Sequence, residues 1–146
     1  MKKNYSFIIV LIIILFNPLF LFAHGEDKAG PNGGFIRMPG AYHTELIPDG
    51  KNKLKVYLLD LQWKNPSLMK SKVSISYSGK SKETATCKPE QNFYLCSFPE
   101  SVDLTAKGNL KVSSQREGQE GMEVSYPLPL KLEIPATKPE GHGSHH

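Results

Sequence analysis

The chain has 146 residues, with 18 basic and 14 acidic side chains and a formal net charge of +4. That length is one ordinary domain. Lys2 and Lys3 precede an apolar run, and the rest of the chain carries 16 basic against 14 acidic side chains, scattered rather than clustered. No nucleic-acid partner is expected, since such a binder presents a clustered basic face.

The first 23 residues read as a secretory signal peptide: a basic start, an apolar run over 7–16, Asn17-Pro18, and a stretch ending at the small residue Ala23. A spanning helix needs about 20 apolar residues, more than the uninterrupted run supplies. Residues 1–23 are therefore expected to be removed, leaving no membrane span and a periplasmic or secreted product. No cysteine follows the run to take a lipid. Cleavage after Ala23 makes His24 the new N-terminus. Cleavage after Gly25 also fits the small-x-small pattern and leaves Glu26 first.

Residues 24–34 are polar, rich in Gly and Pro, and read as an irregular arm. A short strand is expected over 35–38, ended by Pro39-Gly40. The next strand, 41–47, puts Tyr42, Thr44 and Leu46 on one face and His43, Glu45 and Ile47 on the other. Pro48-Asp49-Gly50 is a turn, because Pro presets φ and Gly accepts positive φ. It leads into a strand over 53–60, and the two strands form a hairpin.

Residues 61–70 read as a loop in which Trp63 is a core or rim anchor. Residues 72–78 alternate strictly, with Val73, Ile75 and Tyr77 inward and Ser74, Ser76 and Ser78 outward. Residues 83–87 and 93–98 make a hairpin that brings Cys87 to Cys96. Two cysteines in an exported chain pair as a disulfide, which contributes about 2–4 kcal/mol. Residues 99–108 form a loop with room for one helical turn, 110–114 a strand, and 116–121 a polar turn.

The longest alternation runs from Met122 to Ile134, with Pro127 and Pro129 in the opposite phase. Proline cannot donate to a ladder, so this is an edge strand or one that changes sheets. No helical period is sustained. The pattern predicts an all-β fold, a small antiparallel β-sandwich, Ig-like or cupredoxin-like, with one disulfide, over residues 24–135. Residues 136–146 form a polar, histidine-containing tail.

Five histidines carry the candidate chemistry: His24, His43, His142, His145 and His146. Imidazole is the commonest metal ligand and suits copper and zinc. His24 at the N-terminus offers its α-amine and ring together, and with His43 makes a three-nitrogen set suited to Cu(II). Glu45, two residues along on the same face, is a fourth ligand or a partner that orients an imidazole. Met38 supplies a thioether that favours Cu(I). The terminal sequence GHGSHH adds a metal-capturing tract through His142, His145 and His146. Enzymatic signatures are missing: the sequence has no G-x-S-x-G or H-E-x-x-H, and its cysteines are expected to be oxidised.

The run NGGFIRMPGAYHTELI followed by LKVYLLD resembles a segment of small exported proteins and of the periplasmic adaptor subunits of heavy-metal efflux systems. The pattern there is H-G-G, a spacer, Y-H-x-E-L, then L-x-V-Y-L-x-D. Gly33, Gly34, Tyr42, His43, Glu45, Leu46, Leu54, Val56, Tyr57, Leu58 and Asp60 fit it, and Asn32 departs from it where the pattern has histidine. The resemblance covers about residues 32–60. It implies a periplasmic β-domain in copper or related metal handling, with an envelope efflux component as partner. The expected function is therefore non-enzymatic binding or carriage of copper, with zinc as the second candidate metal. The alternative is an envelope interaction or adhesion module with no specific metal site.

Overall fold

The computed structural model describes residues 28–132. The expected signal peptide 1–23, His24, the expected tail 136–146 and its His142, His145 and His146 lie outside the described residues. Those described contain ten strands and no helix: β1 Phe35–Arg37, β2 His43–Pro48, β3 Lys53–Leu59, β4 Lys72–Ser78, β5 Lys82–Thr84, β6 Thr86–Pro89, β7 Tyr94–Ser97, β8 Gly108–Arg116, β9 Gln119–Glu120 and β10 Val124–Leu128. They form two antiparallel sheets of five strands. The first has the order β1-β2-β3-β7-β6, and the second β10-β8-β4-β5 with β9 beside β8.

Period-two alternation builds the core. Leu46, Leu54, Val56 and Leu58 of the first sheet meet Ile75, Tyr77, Leu110, Val112, Val124 and Tyr126 of the second. Each such side chain contributes about 1.5–3 kcal/mol on burial. Two tyrosines tie the layers with polar contacts inside this core. Tyr42 donates to the Ser114 carbonyl at 2.7 Å. The Tyr126 hydroxyl lies 2.6 Å from Thr44 Oγ1. Burial raises the pKa of both phenols, so both act as neutral hydrogen-bonding groups.

The hairpin of β2 and β3 pairs His43 with Leu59 and Pro48 with Leu54. Its turn places Gly50 at φ 102°. Cys87 and Cys96 stand opposite one another across β6 and β7 and form the disulfide. Several elements differ from the sequence expectation, among them 116–121, where β9 folds back on the end of β8 instead of a plain turn. The strand expected over 83–87 is split at Ala85: residues before it pair with β4 and residues after it with β7. Ala85 N–H still donates to the Ile75 carbonyl, so the chain steps from the edge of one sheet to the edge of the other.

Among the described residues, the long alternation from Met122 yields the five residues of β10, an edge strand. Pro129 has no N–H to extend the ladder past Leu128. Upstream, the Met122 N–H goes to the Pro39 carbonyl instead. The 99–108 loop holds isolated turns, closed by Val102 N–H to Pro99 O and Ala106 N–H to Asp103 O, rather than a helix.

The connections 38–42, 60–71 and 117–123 all lie at the end of the sandwich where β2 begins. They bond to one another there: Met122 N–H to Pro39 O at 2.8 Å and Gly118 N–H to Lys70 O at 2.9 Å. His43 is the first residue of β2 and sits at this end.

Candidate functional site

Alternation puts His43 and Glu45 on one face, as the sequence predicts, and it is the face of the first sheet turned away from the core. A solvated outer face would leave both open to water. Instead His43 is 4% exposed and Glu45 0%. Two segments distant in sequence cover them, one for each side chain.

Residues 28–34 lie across Glu45. Its Oε1 accepts the backbone N–H groups of Asn32 at 2.9 Å and Gly34 at 2.8 Å, and its Oε2 accepts Asn32 Nδ2–H at 2.9 Å. A buried carboxylate needs such donors, because desolvation without them is costly. The arm can lie this close because it is glycine there: a Cβ at Gly34 would stand 2.5 Å from the Leu46 carbonyl oxygen. Gly33 turns the chain at φ 81°. Position 32, where the resembled pattern has histidine, thus serves as a double donor to Glu45.

The 60–65 loop covers His43. Trp63 Nε1–H can only donate, and it points to His43 Nε2 at 3.2 Å. Nε2 is therefore the unprotonated nitrogen. The proton sits on Nδ1 and is given to the Asp60 carbonyl at 3.1 Å. The imidazole and indole meet edge to face, with centroids 5.7 Å apart.

The loop has its own brace. The Asp60 carboxylate accepts the N–H groups of Gln62 and Lys64 and the Asn65 side-chain amide, at 2.7–2.9 Å. These bonds, the one from Lys64 foremost, hold its pKa below the ordinary value of 3.8. Arg116 adds bonds to the carbonyls of Leu58 and Asn65.

Met38 directly follows β1 and is partly exposed. Leu61, Met69 and Met122 are also exposed at this end, on the loops that gather there. The structure turns Glu45 to the arm rather than to His43, and leaves Met38 just beyond the β1–β2 pairing, which ends at Arg37 and Thr44. Among the described residues, no group of three or more His, Cys, Asp or Glu side chains converges in a way that could hold a metal ion. Cys87 and Cys96 are consumed in their disulfide.

Trp63 and Asp60 are the partners that sequence reasoning missed as parts of the site. Their signals were the place of Asp60 in the resembled L-x-V-Y-L-x-D pattern and the nearness of Trp63 to the strand that pairs with His43. Comparisons with protein-family models, curated proteins and solved structures found no match to the chain.

Proposed function

We propose that the chain is an exported, non-enzymatic protein that binds and carries copper at His43. The basic, apolar start of the chain and the Cys87–Cys96 disulfide support export to an oxidising compartment. The observation that carries the metal reading is the tautomer of His43. Nε2 keeps its lone pair, and its partner among the described residues is a neutral indole N–H. That is the form of imidazole a metal takes.

Met38, the residue after β1, is the proposed soft thioether donor, which favours Cu(I). A third donor comes from outside the described residues. Ala29 bridges Phe35 in the antiparallel sense, so the chain reaches Ala29 from the Arg37 end of β1, the end that holds His43. Four residue steps lead from Lys28 back to His24. Extended, they span up to about 14 Å. Adjacent strands lie about 4.8 Å apart, so His24 is within reach of His43. Glu45 enters this reading as the anchor of the arm that delivers His24. The partner proposed to receive the metal is an envelope efflux component.

A second reading, an interaction module, is favoured by the exposed Leu61, Met69 and Met122 at the same end. One titration separates the two. Cu(I), kept reduced with ascorbate, is competed against a chromophoric chelator by the chain starting at His24 and by its His43→Ala variant. The copper reading predicts that the variant binds more weakly by at least about tenfold, 1.4 kcal/mol on the affinity scale. Equal affinity of the two, with all binding lost on deleting 141–146, would contradict it and leave the interaction module.

A further inference from the structure

We propose that the Asn32-Gly33 pair is a latent modification site: the fold holds it unreactive through Glu45, and its deamidation releases the 28–34 arm irreversibly. It is the sole Asn-Gly step in the sequence. An asparagine before glycine is the arrangement in which a backbone nitrogen most readily attacks the preceding side chain, because glycine has no Cβ to hinder the approach. The Gly33 nitrogen loses its proton and adds to Asn32 Cγ, and ammonia leaves, closing a succinimide. Water then opens that ring at either carbonyl and gives aspartate or isoaspartate at position 32. No oxidant, enzyme or metal enters the reaction.

Asn32 and Gly33 are exposed, and a Cβ at Gly33 would meet nothing within 4 Å, so water reaches the pair. Three hydrogen bonds hold it back. The Gly33 N–H, which must lose its proton to attack, is donated to the Gly30 carbonyl at 2.9 Å. Asn32 Nδ2, the nitrogen that would leave, donates to Glu45 Oε2 at 2.9 Å, and the Asn32 backbone N–H donates to Oε1, also at 2.9 Å. Main chain and side chain of Asn32 are thus pinned to one carboxylate, and Cγ is not free to search for the Gly33 nitrogen. The negative charge of Glu45 also disfavours the anionic character that builds during attack.

Modification reverses the contact. Aspartate at position 32 has no side-chain N–H to donate, and it sets a second carboxylate against Glu45 in place of a charge-assisted hydrogen bond. Glu45 is fully buried, so water and salt screen that repulsion poorly. Isoaspartate in addition inserts a methylene into the main chain, ahead of the Gly34 N–H that now reaches Oε1 at 2.8 Å. The arm therefore leaves. Its departure uncovers Glu45 and Ile36, against which Gly30 packs, and the edge of β1 that Ala29 bridges at Phe35. Lost ammonia does not return, so the release is one-way.

Trypsin and mass spectrometry test the shielding on the chain starting at His24. Cleavage after Lys28 and Arg37 yields the peptide 29–37, in which Asn32 is the only asparagine. With the chain aged at mildly alkaline pH, deamidation there is expected to be at least about tenfold slower in the folded protein than in guanidinium chloride, a factor worth about 1.4 kcal/mol. Folded Glu45→Gln should deamidate faster than the folded parent. Equal rates in the folded and unfolded parent would overturn the shielding, and a Glu45→Gln variant as slow as the parent would overturn the role of Glu45. Asn32→Asp, which presents the aspartate product, should lose hydrogen-exchange protection at the Gly34 N–H while the amides of β3 keep theirs. Gly34 protection equal to the parent's in that variant would overturn the release.

Discussion

At the scale of single residues, the chemistry-bearing side chains of the described domain each have a structural duty. Glu45 fastens the arm, Asp60 shapes a loop, and His43 joins that loop to the start of β2. Glu45→Gln tests the first duty. The amide keeps one acceptor oxygen but turns an NH2 group toward Asn32 Nδ2–H, donor against donor. Losing a hydrogen bond to a buried charged group costs about 1.5–3 kcal/mol. Urea unfolding should show the variant less stable by about 2 kcal/mol; a change within about 0.5 kcal/mol, the range of ordinary surface substitutions, would mean that the arm does not depend on this carboxylate.

At the scale of elements, the strands were legible and their coverings were not. In β4, Val73, Ile75 and Tyr77 alternate with serines, and each inward position packs into the core or against it. The prolines of the last strand read correctly as marks of an edge. What alternation could not reveal is that the outer face at β2 is closed. Period two assigns a face but does not say what lies over it. The cover comes from the Asn32–Gly34 turn and from Trp63, placed by hydrogen bonds between residues 11 to 20 positions apart. The step between sheets at Ala85 was hidden for a similar reason: a strand that changes partner keeps an unbroken sequence pattern.

The 60–65 loop makes its own prediction in acid. The pKa of Asp60 is lowered in the folded protein, so its contribution is complete above the ordinary value of 3.8 and is lost as pH falls through the lower folded value. The amide resonances of Gln62 and Lys64, which donate to this carboxylate, should titrate together with a midpoint below 3.8. A midpoint at or above that value would show that the carboxylate does not organise the loop in solution.

For the whole molecule, the two-sheet sandwich gathers three connections at one end, where His43 lies under the 60–65 loop, and the disulfide staples the opposite end. The domain thus presents one imidazole whose Nε2 accepts the Trp63 N–H, and an arm whose Ala29 bridges Phe35 beside β1. The proposed metal site joins these two parts. The most direct test is the nitrogen NMR spectrum of the His43 ring, recorded on the chain starting at His24 before and after one equivalent of Cu(I). Before copper, Nδ1 should appear protonated and Nε2 unprotonated. On loading, the Nε2 signal should move while the Nδ1 proton remains. An Nε2 signal that stays in place with copper bound to the protein would contradict the account, because the metal would then lie somewhere other than His43.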